Sequence, residues 1–216
     1  MNQICIVEGN DGYVFSNFLK KNGIGIPVGF TNEDISKFYA CGSVSEIPKL
    51  FQAASDNSWY NNIGIVLDAN QIGAEKRYNK LFTLLQKEGG YDLPRSVPKE
   101  GLYVESHSKR KVEIWIMPDN KTDGYLEHFL EKLISKENLV KFVKAQKAVK
   151  QFNKSEAELI PEKAMQKAYI HTYLAWQQEP GKPISQAINA NYFNPKLQAA
   201  KPFLKWLKLV FDFISQ

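Results

Sequence analysis

Residues 63–68 read Ile-Gly-Ile-Val-Leu-Asp, a continuous apolar run that ends in an acid. A run of this kind is typical of a strand that is buried on both faces of a parallel sheet. Two further runs share the pattern, since residues 4–8 end in Glu8 and residues 112–117 are followed closely by Asp119. The three runs predict the buried strands of an α/β sheet.

Helical patterns alternate with these strands. Apolar residues recur at helical spacing in residues 14–19, 73–87 and 125–134. Residues 101–105 and 111–116 predict two strands around a polar turn, an arrangement that suits antiparallel pairing. Strands that alternate with helices indicate a central, mostly parallel sheet flanked by helices.

The chain changes character after residue 135. Residues up to 135 carry 15 basic and 17 acidic side chains, a net charge of −2, whereas the remainder carries 13 basic and 6 acidic ones, a net charge of +7. The second part shows helical patterns, with residues 181–195 predicted as a loop. We therefore predict an α/β domain at residues 1–135 and a basic helical region at residues 136–216 that packs on it.

Composition restricts the class of protein further. The sequence shows no run of about 18 apolar residues, so it predicts no membrane-spanning segment. Its first residues resemble a strand rather than a signal peptide. The two cysteines form no Cys-x-x-Cys pair, which favours a reduced, cytoplasmic setting.

The acids that end the strands form the main candidate site. The carboxyl ends of parallel strands meet at one edge of an open sheet, which would gather Glu8, Asp68 and Asp119. Because clustered carboxylates repel one another, such a group needs a hard cation such as Mg²⁺. Acids that only cap the helices after each strand are the alternative interpretation.

Other polar residues are secondary candidates. Asp11 follows the first strand, Asn120 follows Asp119, and Glu127 borders the apolar stripe of its predicted helix. His171 lies among aromatic residues on a predicted helix, where packing is the expected role.

Lysines recur along the predicted helix that begins near residue 139, namely Lys141, Lys144, Lys147 and Lys150. A basic surface of this kind binds the phosphate backbone of DNA or RNA without sequence specificity. The alternative interpretation is a helix face that is simply solvated.

Two short motifs resemble those of Toprim domains, the catalytic modules of topoisomerases, primases and overcoming-lysogenization-defect nucleases. Glu8-Gly9 resembles the Glu-Gly motif that ends the first strand, and Asp68-Ala69-Asn70 resembles the later Asp-x-Asp motif. A family of small uncharacterised prokaryotic proteins, thought to be related to Toprim, is more closely similar. That resemblance covers nearly the whole chain and includes residues 117–120, 124–130, 171–177 and 181–183.

The resemblance implies roles for the matching residues. Glu8 would act as a general acid/base or metal ligand, and Asp68 would hold Mg²⁺. Gly12 and Asn70 stand where the Toprim pattern has acids, and Asn70 could ligate only through its uncharged carbonyl. Three functions remain open: a Mg²⁺-dependent, nuclease-like protein acting on nucleic acid, a non-catalytic Toprim-like binding or regulatory module with a degenerate metal site, and a Mg²⁺-dependent phosphatase acting on a small molecule.

Overall fold

A five-stranded sheet lies at the centre of the computed structural model, which describes residues 3–9, 11–24, 38–41, 44–58, 60–87, 91–106, 110–155 and 159–211. The strands are β1 (Gln3–Glu8), β2 (Phe38–Cys41), β3 (Asn62–Asp68), β4 (Leu102–Glu105) and β5 (Lys111–Met117). They lie in the order β2-β1-β3-β5-β4. The β4–β5 pair is antiparallel and the other three pairs are parallel. The prediction of a mostly parallel α/β sheet with an antiparallel pair is confirmed.

Some helices alternate with the strands and flank the sheet, and others follow the last strand in the chain. In the described residues they are α1 (Asp11–Lys21), α2 (Ile47–Asp56), α3 (Ala74–Lys87), α4 (Leu126–Glu131), α5 (Lys136–Ser155), α6 (Glu162–Ala175), α7 (Ile184–Asn189) and α8 (Lys201–Val210). The predicted helical C-terminal region is confirmed. The helix predicted over residues 125–134 ends earlier than expected, because its last apolar residues lie in a turn.

The prediction of a loop over residues 181–195 is wrong in part, because α7 lies inside it. Pro183 precedes the helix, and Ala187 and Ile188 are fully buried. Asn17 of α1 donates a hydrogen bond to the carbonyl oxygen of Ser185 at 2.8 Å. A helix of six residues is too short to leave a clear periodic pattern, and contacts with α1 stabilise it instead.

Both faces of the sheet are covered, which explains the continuous apolar runs. Side chains alternate along each strand, so Ile114 and Ile116 of β5 pack in the core with α2 and α3. Trp115 and Met117 point to the other face and pack with α1 and the helices after residue 125. The apolar faces of the C-terminal helices therefore pack on the sheet, as predicted.

Phe203 of α8 lies at the centre of this second face. Its ring centroid is 5.0 Å from that of Phe15 in α1, 5.1 Å from that of Trp115 in β5 and 5.2 Å from that of Phe129 in α4. Residues on both sides of position 135 thus share one apolar core. The division into domains at residue 135 stays a prediction, and this shared core offers a way to test it.

Cys5 and Cys41 are buried free thiols. Burial, reinforced by the charge of Glu8, raises the pKa of Cys41 to about 11, so this thiol stays protonated at neutral pH. Burial likewise raises the pKa of Cys5. Among the helices of the described residues, none combines the length and the apolar character needed to cross a bilayer.

Candidate functional site

The sheet changes its winding direction between β1 and β3. Strand β1 has β2 on one side and β3 on the other, so the chain adds strands first in one direction and then in the opposite one. Ligands of open α/β sheets bind outside the carboxyl ends of the strands at such a point. Glu8 ends β1 and Asp68 ends β3, so two of the predicted site residues flank this position.

Glu8 and Asp68 are close neighbours at this edge. Glu8 Oε2 lies 3.5 Å from the backbone nitrogen of Asp68. The backbone N–H of Leu126, the first residue of α4, donates a hydrogen bond to Asp68 Oδ1 at 3.0 Å. The end of β3 and the start of α4 together fix the position of the Asp68 carboxylate.

A cleft of about 950 Å³ opens over these two residues. Asp11 at the start of α1 and Glu127 in the first turn of α4 also line it, which makes four carboxylates in one cleft. Helix α6 contributes Lys167 and His171 to the lining. The structure therefore brings the acids that end β1 and β3 together with two of the predicted secondary residues.

Burial and mutual repulsion perturb the carboxylates of this cleft. Burial, reinforced by the charges of Asp11, Glu8 and Glu127, raises the pKa of Asp68 to about 8, although the hydrogen bond from Leu126 acts in the opposite direction. Burial, reinforced by the charges of Glu127 and Glu8, raises the pKa of Asp11 to about 7, although the positive charge of Lys167 lowers it. Asp11 and Asp68 therefore favour the protonated form unless a cation in the cleft stabilises their charge.

The described residues hold no group of three histidine, cysteine, aspartate or glutamate side chains close enough to bind a metal ion by themselves. Mg²⁺ commonly binds one or two carboxylates and completes its octahedral shell with water and substrate phosphates. Oxygen donors in an acidic, partly buried cleft fit that mode of binding. A site of this kind would use Glu8 and Asp68 and leave several positions for water and substrate.

Asp119 is placed differently from the other acids that follow strands. It does not line the cleft; its carboxylate accepts hydrogen bonds from the backbone N–H and the hydroxyl of Thr122, both at 2.8 Å. Lys132 Nζ lies 2.6 Å from Asp119 Oδ2. Although burial acts to raise it, these bonds hold the pKa of Asp119 at about 2. The contacts support a structural role in this turn, and the role of metal ligand stays a prediction.

Asn70 and Asn120 both have left-handed backbone conformations, with φ of 54° and 62°. Asn70 forms two backbone hydrogen bonds with Gly124, at 2.8 and 3.1 Å, which join the end of β3 to the segment before α4. Asn120 Oδ1 accepts a hydrogen bond from the backbone N–H of Ile116 at 2.6 Å. The contacts assign both residues to shaping the backbone, and their roles at a metal site stay predictions.

Asn120→Ala is expected to lower the free energy of unfolding by about 1–3 kcal/mol. The substitution removes the buried side-chain acceptor of the Ile116 N–H. It also places alanine at a positive φ, a backbone conformation that asparagine adopts more readily. Urea unfolding measures the loss. Lys121→Ala, a change at the exposed neighbouring position, serves as the control, and equal unfolding midpoints for the two variants would contradict the structural role.

The lysines of α5 lie apart from the carboxylate cleft. Lys141 Nζ donates a hydrogen bond to Gln177 Oε1 at 3.1 Å, and Lys150 Nζ lies 5.7 Å from the ring centroid of Tyr169. Lys144 and Lys147 are exposed. Their binding of DNA or RNA stays a prediction.

The sequence patterns did not assign Lys167 or His171 to the cleft. The packing role predicted for His171 is wrong, because its side chain is exposed and lines the cleft. One signal was present, since Lys163, Lys167 and His171 recur every four residues and so share one side of a helix. The direction in which that side points depends on tertiary packing.

Together these features define a mostly parallel α/β protein with an acidic cleft where the sheet changes direction. A family model described as a protein of unknown function, DUF3226, matches residues 2–212. The chain therefore belongs to the DUF3226 family. Neither the curated proteins nor the solved structures gave a match.

Proposed function

We propose that this protein is a Mg²⁺-dependent, nuclease-like enzyme that cleaves phosphodiester bonds in DNA or RNA. The observation that carries the proposal is the position of Glu8 and Asp68 at neighbouring strand ends, in a cleft with two further acids. The distance from Glu8 Oε2 to the backbone nitrogen of Asp68 is 3.5 Å. Their burial and repulsion favour a bound divalent cation. The Toprim-like pattern supports the proposal, because its Glu and first Asp correspond to these two residues.

Three residues of the cleft, Asp68, Glu8 and Lys167, then have distinct tasks. Mg²⁺, when bound, would neutralise phosphate charge and lower the pKa of a coordinated water. Asp68 would be a ligand whose orientation is fixed by the Leu126 N–H. Glu8 would accept or donate the proton that moves during cleavage. Lys167, which lines the same cleft, would bring positive charge to the substrate phosphate.

A non-catalytic, Toprim-like binding module is the second candidate. Gly12 is buried in the first turn of α1 and offers no side chain to the cleft. Asn70 is held by its backbone bonds to Gly124 and lines a neighbouring cleft. With fewer acids than the Toprim pattern contains, such a module would bind nucleic acid without cutting it.

Glu8→Gln is expected to slow Mg²⁺-dependent cleavage by about 100-fold or more, because the amide cannot transfer a proton. The full chain is incubated with single- and double-stranded DNA and RNA, with Mg²⁺ or with EDTA, and products are resolved on gels. Glu105→Gln, an exposed change on β4, is the matched control and should cleave at the wild-type rate. Cleavage that survives both Glu8→Gln and Asp68→Asn would refute the mechanism, whereas Mg²⁺ binding without cleavage would favour the binding module.

A further inference from the structure

A second cleft, of about 730 Å³, lies beside the carboxylate cleft. Asn70, two residues after Asp68, is part of its lining, so both clefts reach the end of β3. The start of α4 separates them, because Tyr125 lines the second cleft and Glu127 lines the first. The two clefts are therefore neighbours along the edge of the sheet where the strands end.

Helix α6 supplies basic residues to both clefts. Lys163 lines the second cleft, whereas Lys167 and His171 line the first. We call these three exposed residues the α6 stripe. Residues four apart on a helix share one side and are separated by about 6 Å along the axis, which suits consecutive phosphates of an extended strand. The stripe thus runs past the carboxylates and into the second cleft.

Each cleft also contains an aromatic side chain. Tyr13 lines the first cleft and is 46% exposed, which leaves its ring accessible. Tyr125 lines the second cleft, where its ring stacks on His128 with centroids 5.5 Å apart. Proteins that bind single strands combine these elements, since basic side chains follow the backbone and aromatic rings stack on the bases.

We propose that the two clefts bind single-stranded nucleic acid, with Lys163 and Lys167 on consecutive phosphates and Tyr13 and Tyr125 as stacking surfaces for bases. The proposal rests on the proposed function in one respect only, which is that the strand passes the Glu8–Asp68 edge. A small phosphorylated molecule would occupy one cleft and use one lysine. A polymer uses both, so the arrangement favours a polymeric substrate over a small one.

Lys163→Gln together with Lys167→Gln is expected to weaken single-strand binding about tenfold or more at low salt and to reduce the slope of log K against log salt by about 1 for each lysine. Binding is measured on the full chain by fluorescence anisotropy, with a labelled oligothymidylate of about 12 nucleotides. Both Mg²⁺ and EDTA are used, and gels verify that the probe is intact. The matched control is the pair Lys76→Gln and Lys80→Gln, which are exposed and four residues apart on α3.

Competition separates the substrate classes. An unlabelled duplex of the same length and thymidine monophosphate are both expected to compete at least about tenfold more weakly than the single strand. The duplex has no free base faces, and the mononucleotide is too small to fill both clefts. The proposal would be overturned if either competed equally well, or if the α3 control weakened binding as much as the α6 variant. Binding that needs Lys163 and Lys167 without any cleavage would refute the hydrolytic function and keep this inference. Cleavage by the wild-type protein, with single-strand binding unchanged in the α6 variant, would keep the hydrolytic function and overturn this inference.

Discussion

Asp68→Asn is expected to lower Mg²⁺-dependent cleavage by about 10²- to 10³-fold while making the metal-free protein more stable. Cleavage falls because the site loses a charged ligand that Leu126 holds in place. Stability rises because asparagine has nearly the same shape and keeps the acceptor for the Leu126 N–H but never ionises. The Asp68 carboxyl, by contrast, becomes charged as the pH approaches its pKa of about 8, in a cleft with three other acids. Opposite effects of one substitution on activity and stability are common at functional sites.

The stability gain is expected to depend on pH. The pKa of Asp68 is about 8 in the folded protein, against 3.8 for the unperturbed group, so the folded state binds more protons than the unfolded state between these values. The free energy of unfolding of the metal-free wild type therefore falls as the pH rises from about 4 to about 8. Asp11, with a pKa of about 7, acts in the same direction. Asp68→Asn should flatten this fall, and its stability gain over the wild type should be largest near pH 8.

Thermal unfolding in EDTA at several pH values measures this gain, and the same series in Mg²⁺ measures metal binding. Mg²⁺ should stabilise the wild type more than Asp68→Asn, because the stabilisation by a ligand that binds only the folded state grows with the logarithm of its affinity. Asp56→Asn, at the exposed end of α2, is the matched control and should leave both series unchanged. Equal stabilisation of the wild type and Asp68→Asn by Mg²⁺ would rule out Asp68 as a ligand.

The acids that follow the strands show how far local sequence predicts a site. The apolar runs place Glu8 and Asp68 at strand ends, and the parallel sheet then brings the two together because β1 and β3 are adjacent. Asp119 follows a run of the same kind, yet Thr122 and Lys132 bind its carboxylate in a separate turn. Its contact with Lys132 joins residues of different elements, and no pattern within one strand encodes it.

Helix α6 shows the opposite case, in which the sequence contains a helical pattern but does not determine which way the helix faces. The spacing of Lys163 and Lys167 places them on one side of any helix, but it does not say what that side faces. In the structure, Gln166 of α6 donates a hydrogen bond to Glu131 Oε2 of α4 at 2.6 Å, and this contact helps to set the rotation of α6. Another side of α6, with Tyr169, Ile170 and Tyr173, is buried in the core, and this tertiary packing directs the basic side to the clefts.

Phe203→Ala is expected to lower the free energy of unfolding by about 3–5 kcal/mol, the largest stability effect predicted for this chain. Phe203 is fully buried, and its ring contacts aromatic residues of α1, α4 and β5. Urea unfolding followed by tryptophan fluorescence and by circular dichroism measures the loss. Leu209→Ala, on the same helix but 43% exposed, is the control and should change stability by no more than about 0.5 kcal/mol.

The same experiment tests the predicted division at residue 135. If the helices after this position form part of one cooperative unit, both probes will report a single transition that Phe203→Ala shifts as a whole. Two transitions, of which only one moves, would support a separate helical region. The outcome also bears on the cleft, because α6 contributes Lys167 and α7 contributes Ser185 to its lining. Cooperative unfolding would mean that the acidic edge of the sheet and the helices beside it form only together, so Phe203→Ala should lose nucleic-acid binding and the folded sheet in the same transition.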